Sequence, residues 1–266
     1  MPTATAYAAV LRSRVRAQAS YPIPFAVDLL AALVVGVLEF AEIWVLFHRA
    51  GVLGGLDIRG VLLVFGLAEF AFSIADLVVG HMDRLPDYLR AGTLDMFYLR
   101  PQSILAQLMT SEISLKRLSR VLFGGGAIVV ALRLNAIHWT TARAGMLALT
   151  LVCAPILYGA LFVLAAGLQF HLLDGREFTN AFVYGGRYAA TQPASVWPTS
   201  LVAGFAFLIP VAFTAYLPAM VLLGHPGGGW LPAGLAWALP LATLWSVALA
   251  AAGWRNGIRH YQGGGG

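Results

Sequence analysis

The chain has 266 residues, 59% of them hydrophobic and only 11% charged, with a formal net charge of +5. A soluble domain carries about a quarter charged residues and needs polar groups over much of its surface, so this composition excludes a water-soluble globule and makes lipid the fitting solvent. The single cysteine, Cys153, excludes a disulfide framework or a cysteine-rich metal site within one copy, and arginines scattered between apolar runs fit membrane-flanking loops better than a nucleic-acid surface.

Residues 1–23 read as a cytoplasmic N-terminal interfacial segment. Arg12, Arg14 and Arg16 precede the first apolar run, which is too long for a signal-peptide core. A short surface helix over Thr5–Ala19 is expected, with a disordered tail as the competing reading. Six segments then reach the length of about 20 residues that a helix needs to cross the hydrocarbon core: Pro24–Phe47, Gly60–Val79, Val121–Ile137, Arg143–Phe170, Pro198–Leu223 and Leu231–Trp254. The fold class is therefore all-α, a polytopic membrane protein of six transmembrane helices forming a single transmembrane domain over residues 1–266. Pro155, Pro210 and Pro218 fall inside spans and are expected to kink them.

Basic residues set the orientation. With both termini cytoplasmic, thirteen Lys and Arg lie on the inner side and four, Arg49, Arg59, Arg133 and Arg143, on the outer side. Trp44, Trp139, Trp197, Trp230 and Trp254 mark span ends as an aromatic belt. The longest polar stretch, 81–120, is on the inner side. The inner loop 172–197 is also sizeable, and the outer loop 224–230 is a tight turn.

Catalytic chemistry is absent from the pattern. A phosphate-binding loop needs a glycine-led Lys followed by Ser or Thr, and the only lysine, Lys116, lies in SLKRLS. Gly124–Gly126 sits in an apolar span, where close helix packing is the ordinary role. The six histidines are dispersed, and no metal is expected. Five acids do fall within the first two spans: Asp28, Glu39, Glu42, Glu69 and Asp76. An acid at the bilayer centre costs roughly 2.5 to 3.5 kcal/mol on insertion scales. Glu39 and Glu69 are expected at nearly matched depth. No span offers a central Lys or Arg as counter-ion. Two readings stand: Glu39, Glu42, Glu69 and Asp76 line a substrate path that attracts cations, or they are protonated or hydrogen-bonded carboxyls that lock helices together at a subunit interface.

Asp87–Pro101, DYLRAGTLDMFYLRP, and Phe205–Gly224, FAFLIPVAFTAYLPAMVLLG, resemble the permease subunits of bacterial ABC-2-type exporters, the family of six-helix chains of this length that work with a separate ATPase. Glu177–Asn180, the aromatic run near Tyr184 and Tyr188, and IHWTTA from Ile137 are similar in kind. The resemblance implies an ABC-2-type exporter fold in the bacterial cytoplasmic membrane and export of a hydrophobic or amphipathic compound such as a drug, antibiotic or lipid-like molecule. It implies no cofactor in this chain, with ATP and Mg bound by two copies of an ABC ATPase. It also implies a second permease, a related heterodimer partner being slightly favoured over a second copy. Residues 81–120 would then couple to the ATPase. Leu85, Leu89, Leu94, Met96 and Phe97 are the apolar anchors, Asp87, Arg90, Asp95 and Arg100 the polar rim, and Gly92 and Pro101 the breaks between short pieces. The competing reading of that segment is an amphipathic helix lying on the membrane. For the whole chain, the competing classes are a self-standing ion-coupled carrier or channel and an intramembrane enzyme acting on lipid.

Overall fold

The computed structural model describes residues 22–50, 55–111, 116–172, 177, 180–193, 198, 204, 209–228 and 231–261. The expected surface helix over Thr5–Ala19, Trp197, Trp230 and the C-terminal glycines lie outside them. The described chain is helical almost throughout. Helix α1 spans Pro22–Ala50 and α2 Ile58–Val79. A 3-10 turn over Gly80–Arg84 then leads into three short helices, α3 Leu85–Arg90, α4 Asp95–Tyr98 and α5 Ile104–Ser111. Two longer helices follow, α6 Lys116–Leu134 and α7 Thr141–Gln169. Next come α8 Gly185–Ala190, α9 Tyr216–Leu223 and α10 Leu239–His260. Among the described residues, three stretches, 58–90, 141–169 and 233–260, are long and apolar enough to cross a membrane.

Local chemistry accounts for the helix starts. Asp57 caps α2, its carboxylate accepting from the Gly60 N–H at 2.8 Å, and the Thr140 hydroxyl accepts from the Arg143 N–H at 3.2 Å to cap α7. Helix α9 ends on Gly224 at φ +71, a left-handed conformation in which a side chain would be strained. The chain then turns back through a two-residue antiparallel ladder, Gly227–Gly228 against Leu231–Pro232.

Glycines set how closely the long helices approach. Helices α2 and α6 run antiparallel. A Cβ on Gly124 would lie 2.7 Å from the Phe70 nitrogen, and one on Gly66 would lie 2.9 Å from the Ile128 nitrogen. At the far end of this pair the Asn135 amide donates to the Arg59 carbonyl at 2.8 Å. Of the glycine run, Gly124 makes the tight crossing, whereas Gly126 faces open space. Helices α7 and α10 run parallel, with Gly167 pressed against Gly253 and Gly257. The centre is aromatic: Phe72 of α2 meets Tyr158 and Phe162 of α7, both at 5.6 Å, and Tyr184 at 5.4 Å.

Three expectations are corrected. The fifth span is not one kinked helix, although most of 198–208 is outside the described residues. The chain breaks at Pro210, makes a 3-10 turn over Val211–Phe213, and only then enters α9. Pro218 is the third residue of α9, where its missing N–H belongs to the unpaired first turn, so it opens this helix rather than bending it. The sixth span is shifted along the chain: residues 233–238 are 3-10, and α10 continues six residues past Trp254. Trp254 is buried against Phe170 at 5.7 Å and packs helices together instead of facing a membrane surface. Trp44 and Trp139 are exposed, as belt residues are.

Candidate functional site

Two features concentrate polar chemistry. One is an ion network inside the helix bundle; the other is a folded elbow, residues 80–111, at one end of it.

The network is centred on Glu69, which is 1% exposed on α2. Arg187 of α8 donates to its Oε2 from Nε at 3.0 Å and from Nη2 at 2.7 Å. The same Nη2 also donates to Glu39 of α1. The other carboxylate oxygen of Glu69 accepts from Ser73 Oγ at 3.2 Å and faces Arg120 Nε of α6 at 3.3 Å. About two turns along α2, Asp76 pairs with Arg117 Nε at 3.3 Å, and Arg117 Nη1 donates to the Asp76 carbonyl at 2.8 Å. The rings contribute as well. Arg187 lies over the face of Phe72 at 5.1 Å and Arg120 at 5.8 Å. Three carboxylates thus meet three guanidiniums, and four helices are tied at one point. A charge removed from water persists when it is paired and hydrogen-bonded.

The expectation of acids without counter-ions is therefore corrected. Arg117 and Arg120 sit in the first turns of α6, and Arg187 comes from a short helix within the stretch expected as the inner loop 172–197. Their long side chains carry the charge along apolar surface to meet the acids. Glu39 and Glu69 are indeed close enough in depth for one guanidinium to reach both. Glu42 is separate and exposed, accepting from the Tyr188 hydroxyl at 2.5 Å. The Asp28 side chain lies outside the described residues.

The elbow folds on itself. Gly92 takes φ +64 between α3 and α4, and the Thr93 N–H donates back to the Tyr88 carbonyl at 3.1 Å. Gln107 of α5 donates to the carbonyls of Phe97 and Gln102, both at 2.9 Å, and so closes the loop between α4 and α5. The His81 ring pairs with the Tyr88 hydroxyl at 2.9 Å. Tyr184 fastens the elbow to the bundle by donating to Asp83 at 2.5 Å. From the chain's other end, Tyr261 donates to Asp95 Oδ1 at 2.9 Å and stacks on Tyr98. Burial, then the Asp95 carboxylate, pushes the Tyr261 hydroxyl up to about 12, so it stays a proton donor at neutral pH.

The expected coupling residues divide by burial. Leu85 and Leu94 are fully buried and hold the elbow together, and Leu89 and Phe97 are half-buried. The apolar side chains left outside are Met96, Tyr98 and Leu99, the last 84% exposed. Asp87, Arg90, Asp95, Arg100 and Pro101, in the same segment, are exposed as well. Sequence reasoning passed over Tyr98 and Leu99 because hydrophobicity alone does not separate a residue that packs inward from one that is presented.

A helical bundle with three apolar stretches long enough to cross a membrane, an internal ion network and a structured elbow at one end fits a membrane component. A family model described as ABC-2 family transporter protein matches residues 33–265, and the chain belongs to that family, the membrane-embedded component of ABC transporters. No curated protein and no solved structure matches the chain.

Proposed function

We propose that this chain is the permease subunit of an ATP-driven exporter that moves a hydrophobic or amphipathic compound across the bacterial cytoplasmic membrane. It crosses the membrane six times with both termini in the cytoplasm and pairs with a second permease, a related chain being slightly favoured. Two copies of an ABC ATPase bind ATP and Mg on the cytoplasmic side. The observation that carries this reading is the elbow. Met96, Tyr98 and Leu99 are exposed apolar side chains in a segment whose exposed charges, Asp87, Arg90, Asp95 and Arg100, alternate in sign, and the segment is fastened to the bundle through Tyr184 and Tyr261. Such a segment seats in a cleft of a partner, and its fastening passes the partner's motion to the helices.

The test is co-purification. The wild-type chain should bring down a protein with a phosphate-binding loop, and Leu99→Asp together with Met96→Asp should reduce that recovery at least about tenfold, as loss of an interface hot spot does. Membrane insertion should be unchanged. Full recovery of the ATPase by the double variant would remove the elbow from the interface.

Orientation is tested separately. With Arg117, Arg120 and Arg187 drawn into the bundle, ten basic residues remain on the inner side against four on the outer. In a Cys153→Ser background, His138→Cys should react with an impermeant thiol reagent added to intact cells, and Ser103→Cys should not. The reverse labelling pattern would invert the topology. A self-standing ion-coupled carrier would require acids free to exchange protons or cations. The guanidinium pairing of Glu39, Glu69 and Asp76 supports a helix lock in its place.

A further inference from the structure

Between α2, α7 and α10 lies an apolar groove of about 410 Å³ that the ion network and the elbow surface do not use. Val78 of α2, Ile156 and Gly159 of α7, and Val247 and Ala251 of α10 line it, together with Met109 of α5, the part of the elbow that reaches the groove. Its volume is within the range of small-molecule sites, about 300 to 1,000 Å³, but it lacks the polar groups that orient such ligands. The groove is partly open, and on α10 Leu244, one turn from Val247 on the same face, is exposed. An opening toward hydrocarbon, walled only by hydrocarbon, suits an acyl chain.

Position and charge narrow the occupant further. Val247, Ala251 and Arg255 are spaced four apart and form one stripe along α10. Arg255 therefore lies about 6 Å beyond Ala251 toward the elbow end. It is exposed and makes no ion pair among the described residues. A cation at headgroup level above an acyl-sized groove complements an anionic phospholipid.

We propose that this groove holds one acyl chain of an anionic phospholipid from the cytoplasmic leaflet, with Arg255 on its phosphate. The bound chain fills the space between α2 and α10, which meet mainly through α7. The choice of leaflet rests on the orientation proposed above; the site itself does not.

The experiment uses the full-length chain in phosphatidylcholine vesicles containing a trace of phosphatidylglycerol that carries a photoactivatable acyl chain. Cross-links mapped by mass spectrometry should concentrate on residues 156–163 and 247–251. Ala251→Leu, which occupies the groove, should lower that labelling at least about fivefold. Arg255→Gln should lower the preference for the phosphatidylglycerol probe over a phosphatidylcholine probe by about fivefold, the value of one basic residue at an anionic surface. Labelling spread evenly over exposed helix faces such as α1 in the wild-type chain would overturn the site without recourse to any variant. Equal labelling by the two probes would overturn the role of Arg255. Neither measurement needs ATP or a partner. Failure here, with ATPase co-purification intact, rejects the lipid site alone, and lost co-purification with localised labelling rejects the transporter reading alone.

Discussion

Arg187→Ala should destabilise the folded chain by about 3 to 5 kcal/mol, the usual consequence of removing one partner from a buried ion pair. In detergent its melting temperature should fall on the order of 10 °C. The cause is what remains: Glu39 loses its guanidinium, and Glu69, buried between α1, α6 and α8, keeps only Arg120 and Ser73. Arg187→Lys should rescue little, since a single ammonium cannot make the Nε and Nη2 contacts that serve two carboxylates. The informative variant is the pair Arg187→Gln with Glu39→Gln. It removes one charge of each sign and leaves Glu69 facing Arg120, so it should recover at least half of the loss. A single variant that melts like the wild type would mean that the network does not hold these helices. Transport supplies a second readout. A helix lock lowers export of cationic and neutral compounds alike, whereas loss confined to cations would restore the substrate-path reading of Glu39 and Glu69.

Gly167→Leu should disrupt assembly to a comparable degree. A Cβ at Gly167 would sit 2.6 Å from the Gly253 carbonyl carbon, and one at Gly257 would sit 2.4 Å from the Gly167 oxygen. The opposing atoms are backbone, so no rotamer change relieves the clash and the two helices must separate. Overpacking typically costs 1 to 3 kcal/mol, and about 3 kcal/mol or more is expected where backbone meets backbone. Gly124→Leu meets the Phe70 backbone in the same way, while a Cβ at Gly126, two residues on, would meet nothing within 4 Å. Gel filtration of detergent extracts should show the first two variants aggregated and Gly126→Leu monodisperse. If Gly124→Leu and Gly126→Leu behave alike, the glycine run serves flexibility and not close approach.

The membrane character, the approximate bounds of α2 and α7, and the location of the elbow were legible in the amino-acid order alone, whereas α6 begins at Lys116, five residues before its expected start at Val121. The reason is that they depend on properties read along the chain. A lipid solvent requires about 20 consecutive apolar residues, a cap requires an Asp or Thr just before them, and a polar stretch with Gly92 and Pro101 cannot continue a span. Tertiary structure decided the partners. Arg187 meets Glu69 across 118 positions and Glu39 across 148, and nothing local to Arg187 distinguishes it from a loop arginine facing water. Packing likewise decided that Leu94 turns inward while Leu99 stands exposed, and that Trp254 packs on Phe170 instead of marking a membrane surface. Hydropathy gives a residue's preference for an environment; which neighbour supplies that environment depends on helices brought together from distant parts of the chain.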